Sequence, residues 1–360
     1  MNSQRSVLHI TSSLNYGGYE VLISDIIQNS HHVKFDLHVI SNEKGPLYKN
    51  IRDIGFQISF HKRKGIDHRF IRFLRKYLKG NEIDIIHVHD TINGWNALLA
   101  SLFLGTKIVF TVHGWGRSRI KYLLMKFMDQ ICYVSNSLKI HINADYPDKE
   151  FILYNGISLN KFNNSNLSVR KELHIHKREF LFGFVGNFNT VRDQLTVCKA
   201  LRLVKKKKFD FTFLFVGAAH IPKLYDACYS YCEKHDLLDN IKFLGSRSDV
   251  PEILSSLDLF VYSSNQDTFG IAVVEAMMSG TPVIVNDLAV FKEITEGGLY
   301  ARLYKTKDEV DLSNKIIEMM SCDQNRFKLG KKAKNYAIDN YSIEKHIASL
   351  NELYSNLLQK

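Results

Sequence analysis

Asp267-Thr-Phe-Gly270-Ile-Ala-Val-Val-Glu275-Ala-Met-Met-Ser-Gly280-Thr-Pro282-Val-Ile-Val285 decides the fold of this chain. A helix occupies its middle, Gly280 ends that helix, and Pro282 opens an apolar strand running to 286. The expected helix start is at Phe269 and Gly270, so their backbone N–H groups have no intrahelical acceptor and are free to face an anion. Gly270 lets a ligand approach the backbone. Two carboxylates, Asp267 and Glu275, flank the turn, with Glu275 about one helical turn further on.

Outward from that block, short apolar runs alternate with helical patterns. Strands are expected at 7–11, 35–40, 84–89, 107–113, 130–135 and 151–154. A second set falls at 180–186, 211–217, 241–244, 257–262 and 282–286. Many are apolar nearly throughout, as strands covered on both faces are. Helical segments at 94–104, 192–204, 222–234 and 271–279 separate them. The pattern is α/β: two Rossmann-like, doubly wound parallel sheets in succession. Asn155-Gly156 and the polar stretch 160–168 mark a linker and loop, giving domains at 1–160 and 161–340. The tail from 308 is helical. Its last segment carries Ile343, Ile347, Leu350, Leu353, Tyr354 and Leu357 as one stripe, a separate element at 341–360.

A length of 360 residues favours two domains over one core. The five cysteines are scattered and odd in number, which fits free thiols in a reducing cytosol. Cys228 and Cys232 are spaced for a metal on one helix face, but no further pair completes a zinc set. No secretory signal precedes the first strand, and the apolar run 97–105 is too short to span a bilayer. The net charge of +11 calls for an anionic partner: nucleic acid, a membrane surface or a polyanionic substrate.

Four further segments carry chemistry. Gly17 and Gly18, in the loop 12–20 between a strand and a helix, allow close backbone approach to phosphate; a plain tight turn is the competing reading. His113 ends a strand, where open parallel sheets place ligands. His87 and His89 also end a strand, and for these a satisfied polar residue is the simpler reading. Arg192, following Asn187 in the loop after 180–186, is a fixed cation suited to a phosphate. Arg247 repeats that logic one strand later, with Asp249 as a helix cap. The run 61–79 places Arg69, Arg72, Arg75, Lys76 and Lys79 opposite Phe70, Leu74, Tyr77 and Leu78. Such a helix suits an anionic membrane, or packs its apolar side on the sheet. Arg117, Arg119, Lys121 and Lys126 add charge nearby. Amides suited to phosphates beside carboxylates suited to hydroxyls are the chemistry of a nucleotide-sugar site.

On these residues the chain resembles the GT-B glycosyltransferases of family 4, over nearly its whole length. The matching segments are Gly17-Gly18-x-Glu20, His113-Gly114, Asn155-Gly156-Ile157, 186–192, 243–250 and, most specifically, the block 263–282. The resemblance implies two domains facing a central cleft, with the last helix crossing back to the first. It assigns Glu275 to the donor ribose and Asp267 to donor-sugar hydroxyls. The amides of Phe269, Gly270 and Ile271 go to the diphosphate, as does the Gly17-Gly18 loop on domain closure. His113 falls beside the reacting sugar and Arg247 beside the base. The chain departs from the family pattern in having Asp267 for glutamate, Asn187 for arginine, Arg192 for lysine and Ser158 for aspartate.

The expected activity is transfer of a hexose or N-acetylhexosamine from a UDP-sugar, with retention, to a hydroxyl of a lipid-linked glycan. Bacterial O-antigen, capsule or lipopolysaccharide assembly is the expected setting, at the cytoplasmic face of the inner membrane. The chain lacks an Asp-x-Asp pair, so no metal or other cofactor is expected. A sugar-nucleotide epimerase on the same fold is the alternative. A nucleic-acid-binding protein is remoter, since the chain shows neither stacked aromatics nor a recognition module.

Overall fold

The apolar runs form thirteen parallel strands in two sheets among the described residues, which are 4–162 and 167–359 of the computed structural model. One unit comprises Met1–Ser158 with Tyr341–Lys360, the other Leu159–Asn340.

The first sheet contains β1 (Ser6–Thr11), β2 (Asp36–Ser41), β3 (Ser59–Phe60), β4 (Ile83–Val88), β5 (Lys107–Val112), β6 (Gln130–Tyr133) and β7 (Glu150–Ile152). Their spatial order is β3-β2-β1-β4-β5-β6-β7. The chain winds one way from β1 and returns to the other side at β4. The β1/β4 boundary is therefore the switch point, where doubly wound sheets leave a crevice at the strand carboxyl ends. His89 and His113 lie just past β4 and β5.

The second sheet contains β8 (Leu181–Val185), β9 (Thr212–Val216), β10 (Ile241–Phe243), β11 (Leu259–Tyr262), β12 (Val283–Asn286) and β13 (Arg302–Tyr304), in the order β10-β9-β8-β11-β12-β13. Its switch point is β8/β11. Phenylalanine sets its register: Phe182 pairs with Phe213 and Phe184 with Phe215 across β8 and β9. The Phe182 and Phe213 rings meet edge to face at 4.8 Å.

β3 and β13 escape the sequence pattern because two or three residues at a sheet edge are too few to show a run. The helix expected at 94–104 is Thr91–Ser101, begun by Asp90, which accepts from the Asn93 amide. The helix expected at 192–204 is Gln194–Lys206, capped by Asp193. Of the expected linker 160–168, Leu159–Phe162 is a 3₁₀ turn and Leu167–Glu172 a helix, and 163–166 lie outside the described residues.

The final helix, Ile343–Gln359, buries its whole apolar stripe against Val7, Leu22, Ile26 and Phe35 of the first unit. Each buried Leu or Ile contributes about 1.5–3 kcal/mol, so its five buried Leu and Ile residues, with Tyr354, hold the helix firmly. Gly156 makes the approach feasible, since a Cβ there would stand 2.6 Å from the His346 Cβ. No helix among the described residues is long and apolar enough to cross a membrane.

Candidate functional site

In the second unit the loops after β8 and β11 meet at the switch point. Arg192 Nη1 donates to Ser264 Oγ and to Asp267 Oδ2, both at 2.9 Å. Its guanidinium lies 5.1 Å from the centroid of the Tyr262 ring, and the Tyr262 hydroxyl donates to Asp267 Oδ2 at 3.3 Å. Burial works to lower the Arg192 pKa, but Tyr262 and Asp267 outweigh it and hold the group above its ordinary value. Burial pushes the Tyr262 phenol up, with Asp267 and Glu275 adding to the shift. Glu275 is half-buried on the helix Ile271–Ser279.

One expectation about this turn needs correction. The amides of Phe269 and Gly270 are not open to an anion: both donate to Asp267 Oδ1, at 3.3 and 3.0 Å. A short aspartate two and three residues upstream reaches them as an Asx-type cap. The helix begins one residue later, at Ile271. Among the described residues no backbone carbonyl accepts from Ile271 or Ala272, so these are its first open amides. Gly270 is also required by the fold around it. Its φ is +89°, and a Cβ there would stand 2.9 Å from the Phe291 ring and 3.2 Å from Ile294.

Asn187 and Arg247 are committed within the protein. Asn187 Oδ1 accepts from the Ala218 amide at 2.8 Å. Arg247 forks between Asp249 and Glu172 through four bonds of 2.7–2.9 Å. Because Asp249 spends its carboxylate on Arg247, it makes no side-chain cap on the helix Val250–Ser256. Cys198 comes together with Cys228 and Cys232, and burial followed by these two thiols pushes the Cys198 thiol up.

In the first unit, Gly17 is the N-cap of the helix Gly18–Gln28 and has no side-chain capping bond. A Cβ at Gly17 would collide with the Glu20 carboxylate. His113 joins a chain of hydrogen bonds that includes His89, a residue whose simpler reading from sequence is a satisfied polar group. His113 Nε2 lies 3.0 Å from His89 Nδ1, and His89 Nε2 lies 3.1 Å from His9 Nδ1. Burial lowers His113 and His9 to a pKa of about 3. Tyr19 stacks on the His113 ring at 5.1 Å and on the His89 ring at 5.9 Å. Lys121, counted in the sequence among the basic charges near the run 61–79, is buried, and its amine donates to the Gly114 carbonyl at 3.4 Å.

Beside the β1/β4 switch point, sequence reading missed a polar cluster. Arg63 donates to Asn42, Asn93, Ser12 and Asp90, and Ser12 donates to Asp90. Of these, Ser12, Asn42 and Arg63 line a cavity of about 590 Å³ together with Glu43, Lys44, Phe60 and Lys62. The available signal is the basic run 61–79, whose Lys62 and Arg63 precede the helical part.

That helix, His68–Gly80, buries Phe70, Leu74 and Leu78, which is the packing alternative for its apolar side. Arg69, Arg72, Lys76 and Lys79 are exposed. Arg75 is not open to an outside anion, since it donates to the Ala100 and Leu102 carbonyls at the end of the helix Thr91–Ser101. Exposed apolar residues sit elsewhere: Leu99 on the helix Thr91–Ser101 with Leu102 and Phe103 just past its end, and Ile120 and Leu123 on the helix Arg119–Lys126 with Phe127 at its C-cap. Trp95 connects the groups through a contact with Phe127.

Two Rossmann-like units, with the last helix docked on the first, define the GT-B class. The solved HepE of Anabaena, in complex with UDP and glucose, has the same fold: TM-score 0.84 and 19% identity over 98% of this chain and 99% of that one. Residues 166–336 match Glycosyl transferases group 1, and residues 16–161 match Glycosyltransferase Family 4. The chain belongs to family 4 of the glycosyltransferases. It is 25% identical over 357 residues to the UDP-Gal:alpha-D-GlcNAc-diphosphoundecaprenol alpha-1,3-galactosyltransferase of Escherichia coli, covering 90% of each. It is 24% identical over 314 residues to the capsular polysaccharide biosynthesis glycosyltransferase CapH of Staphylococcus aureus, covering 81% of this chain and 83% of that one.

Proposed function

We propose that this glycosyltransferase moves a hexose or N-acetylhexosamine from a UDP-sugar to a hydroxyl of a lipid-linked glycan, in assembly of a bacterial surface polysaccharide, with retention and without a metal. The observation that carries the donor half is the Arg192–Asp267 pair set at the start of the helix that bears Glu275. Breaking the bond between the anomeric carbon and phosphate leaves negative charge on the diphosphate, and charge that grows in the transition state is what a site must stabilise. Arg192 and the open amides of Ile271 and Ala272 supply that stabilisation. Asp267 exchanges Arg192 for sugar hydroxyls, and Glu275 takes the ribose. Retention follows when the acceptor oxygen attacks from the face the phosphate leaves. The new bond forms at the anomeric carbon, and the acceptor's proton passes to the departing phosphate oxygen.

The acceptor half rests on the first unit. Lys44 and Lys62, with Glu43, line a cavity beside the Arg63–Asp90 pair, and its two lysines suit an anionic group of the acceptor. The apolar surface of Leu99, Phe103, Leu123 and Phe127, flanked by Arg72, Lys76, Arg119 and Lys126, suits the interface of an anionic bilayer. The E. coli relative's name gives it a lipid diphosphate acceptor. A thermal-shift panel of nucleotides and nucleotide sugars tests the donor: a UDP-sugar at about 100 Kd stabilises by about 2.7 kcal/mol. Glu275→Ala is expected to abolish transfer and that shift while the protein stays folded. Near-normal turnover in this variant removes the ribose role.

A further inference from the structure

The hydrogen bonds that begin at His113 do not end at His9. His9 Nε2 lies 3.1 Å from the Tyr354 hydroxyl, which lies 2.6 Å from His87 Nδ1. His87 Nε2 lies 2.6 Å from Thr111 Oγ1, and Thr111 bonds in turn to the Cys132 thiol. Residues from β1, β4 and β5, from the loops after β4 and β5, and from the final helix thus form one unbranched line through the buried centre of the first unit. The line runs His113, His89, His9, Tyr354, His87, Thr111.

Each bond in such a line needs one proton and one lone pair. A neutral imidazole has one nitrogen of each kind, and a phenol has one proton to give. If any bond between imidazoles donates towards His113, its neighbours must do so too; only the phenol oxygen could accept from both sides, and that would leave its own proton with no acceptor among the described residues. Elsewhere in the line a break in polarity would set two N–H groups, or two lone pairs, face to face among buried groups, which is costly. In one polarity all four histidines carry the proton on Nδ1. In the other all four carry it on Nε2. Charged forms that would interrupt the line are disfavoured: burial lowers all four imidazoles and raises the Tyr354 phenol. Nδ1 of His113 is the ring nitrogen outside the line.

We propose that His9, His87, His89 and His113 share a single tautomer state transmitted through Tyr354, so that the final helix fixes whether His113 offers a proton or a lone pair at Nδ1. Tyr354, His9 and His89 are then positioning residues. Their action on transfer rests on the reading above that places His113 beside the sugar; the shared tautomer does not.

The test is nitrogen-15 NMR of the full chain with labelled histidine at neutral pH, where protonated and lone-pair ring nitrogens resonate far apart. His346 is an internal reference, because its Nδ1 faces the Tyr154 carbonyl at 2.6 Å and must carry the proton. The expected result is one tautomer at all four positions; mixed tautomers in the wild-type protein overturn the proposal whether or not the enzyme transfers sugar. Tyr354→Phe cuts the line. His113 should then populate both tautomers, with kcat falling about tenfold and the donor KM held within about twofold. An unchanged His113 spectrum, or unchanged kcat, overturns the positioning role. Thr111→Val, which opens the line at its far end, is read the same way if Tyr354→Phe does not fold.

Discussion

Replacing Asp267 with alanine should unlock the donor turn even in the empty enzyme. The carboxylate is a clasp: one oxygen holds Arg192 and the other holds the amides of Phe269 and Gly270. Its side chain is 9% exposed and that of Arg192 20%. Removing one partner of a buried pair costs about 3–5 kcal/mol, and the residual exposure of Arg192 favours the lower end. Losing the cap on two amides adds about 1 kcal/mol. Asp267→Ala should therefore destabilise the second unit by about 4 kcal/mol, a large share of a typical 5–15 kcal/mol. Arg192→Met leaves Asp267 its amides and should cost about 1–2 kcal/mol. The double variant should be more stable than the sum predicts by about 1.5 kcal/mol, because the buried cation has gone with its partner. Both tryptophans, Trp95 and Trp115, are in the first unit, so fluorescence reports the wrong half. Hydrogen exchange of peptides spanning 264–275, followed through a urea series, reports the right one. Additivity within about 0.5 kcal/mol would show that the two side chains do not act as a unit.

Three more outcomes are expected. The folded pKa is about 3 for His9 and His113, about 4 for His346, and well below 6.5 for His87 and His89. The unfolded chain thus binds more protons below pH 6.5, and stability present above that pH is lost as pH falls towards the folded values. Between pH 7.5 and 5.5 the first unit should lose on the order of 5 kcal/mol, visible as a lower urea midpoint by tryptophan fluorescence; equal midpoints contradict the burial of these rings. Gly270→Ala combines φ +89° with a Cβ set against Phe291, so a loss of about 2 kcal/mol is expected, and a neutral effect means the turn relaxes freely. Leu123→Glu with Phe127→Glu should cut cosedimentation with anionic vesicles at least about tenfold, since each buried apolar side chain is worth about 1.5–3 kcal/mol. Undiminished binding directs the membrane contact elsewhere.

The sequence made the scaffold legible because parallel strands buried on both faces must be apolar throughout, and eleven of them announce themselves. Gly280 and Pro282 punctuate the donor helix unambiguously. What the sequence hid was who holds whom. From residue types, Arg192, Asp267 and the amides near Gly270 all appear as ligand contacts waiting for a donor. In three dimensions they satisfy one another, because a buried cation and a row of open amides both need an anion before any substrate arrives. Asp249 fails as a cap for the same reason: Arg247 is the stronger claimant. The histidines were harder still. His9, His87 and His89 lie far apart in sequence from His113, and of the four only His113, at its strand end, stands out from the sequence. They converge because the sheet order sets β1 beside β4 and β4 beside β5, while the final helix brings Tyr354 to the same place from the far end of the chain. A stripe read only as packing, Ile343 to Leu357, therefore carries one polar residue whose partners are fixed by topology. Packing and chemistry are inseparable there: the contacts that dock the helix also fix the phenol, and through it the direction of every proton in the line.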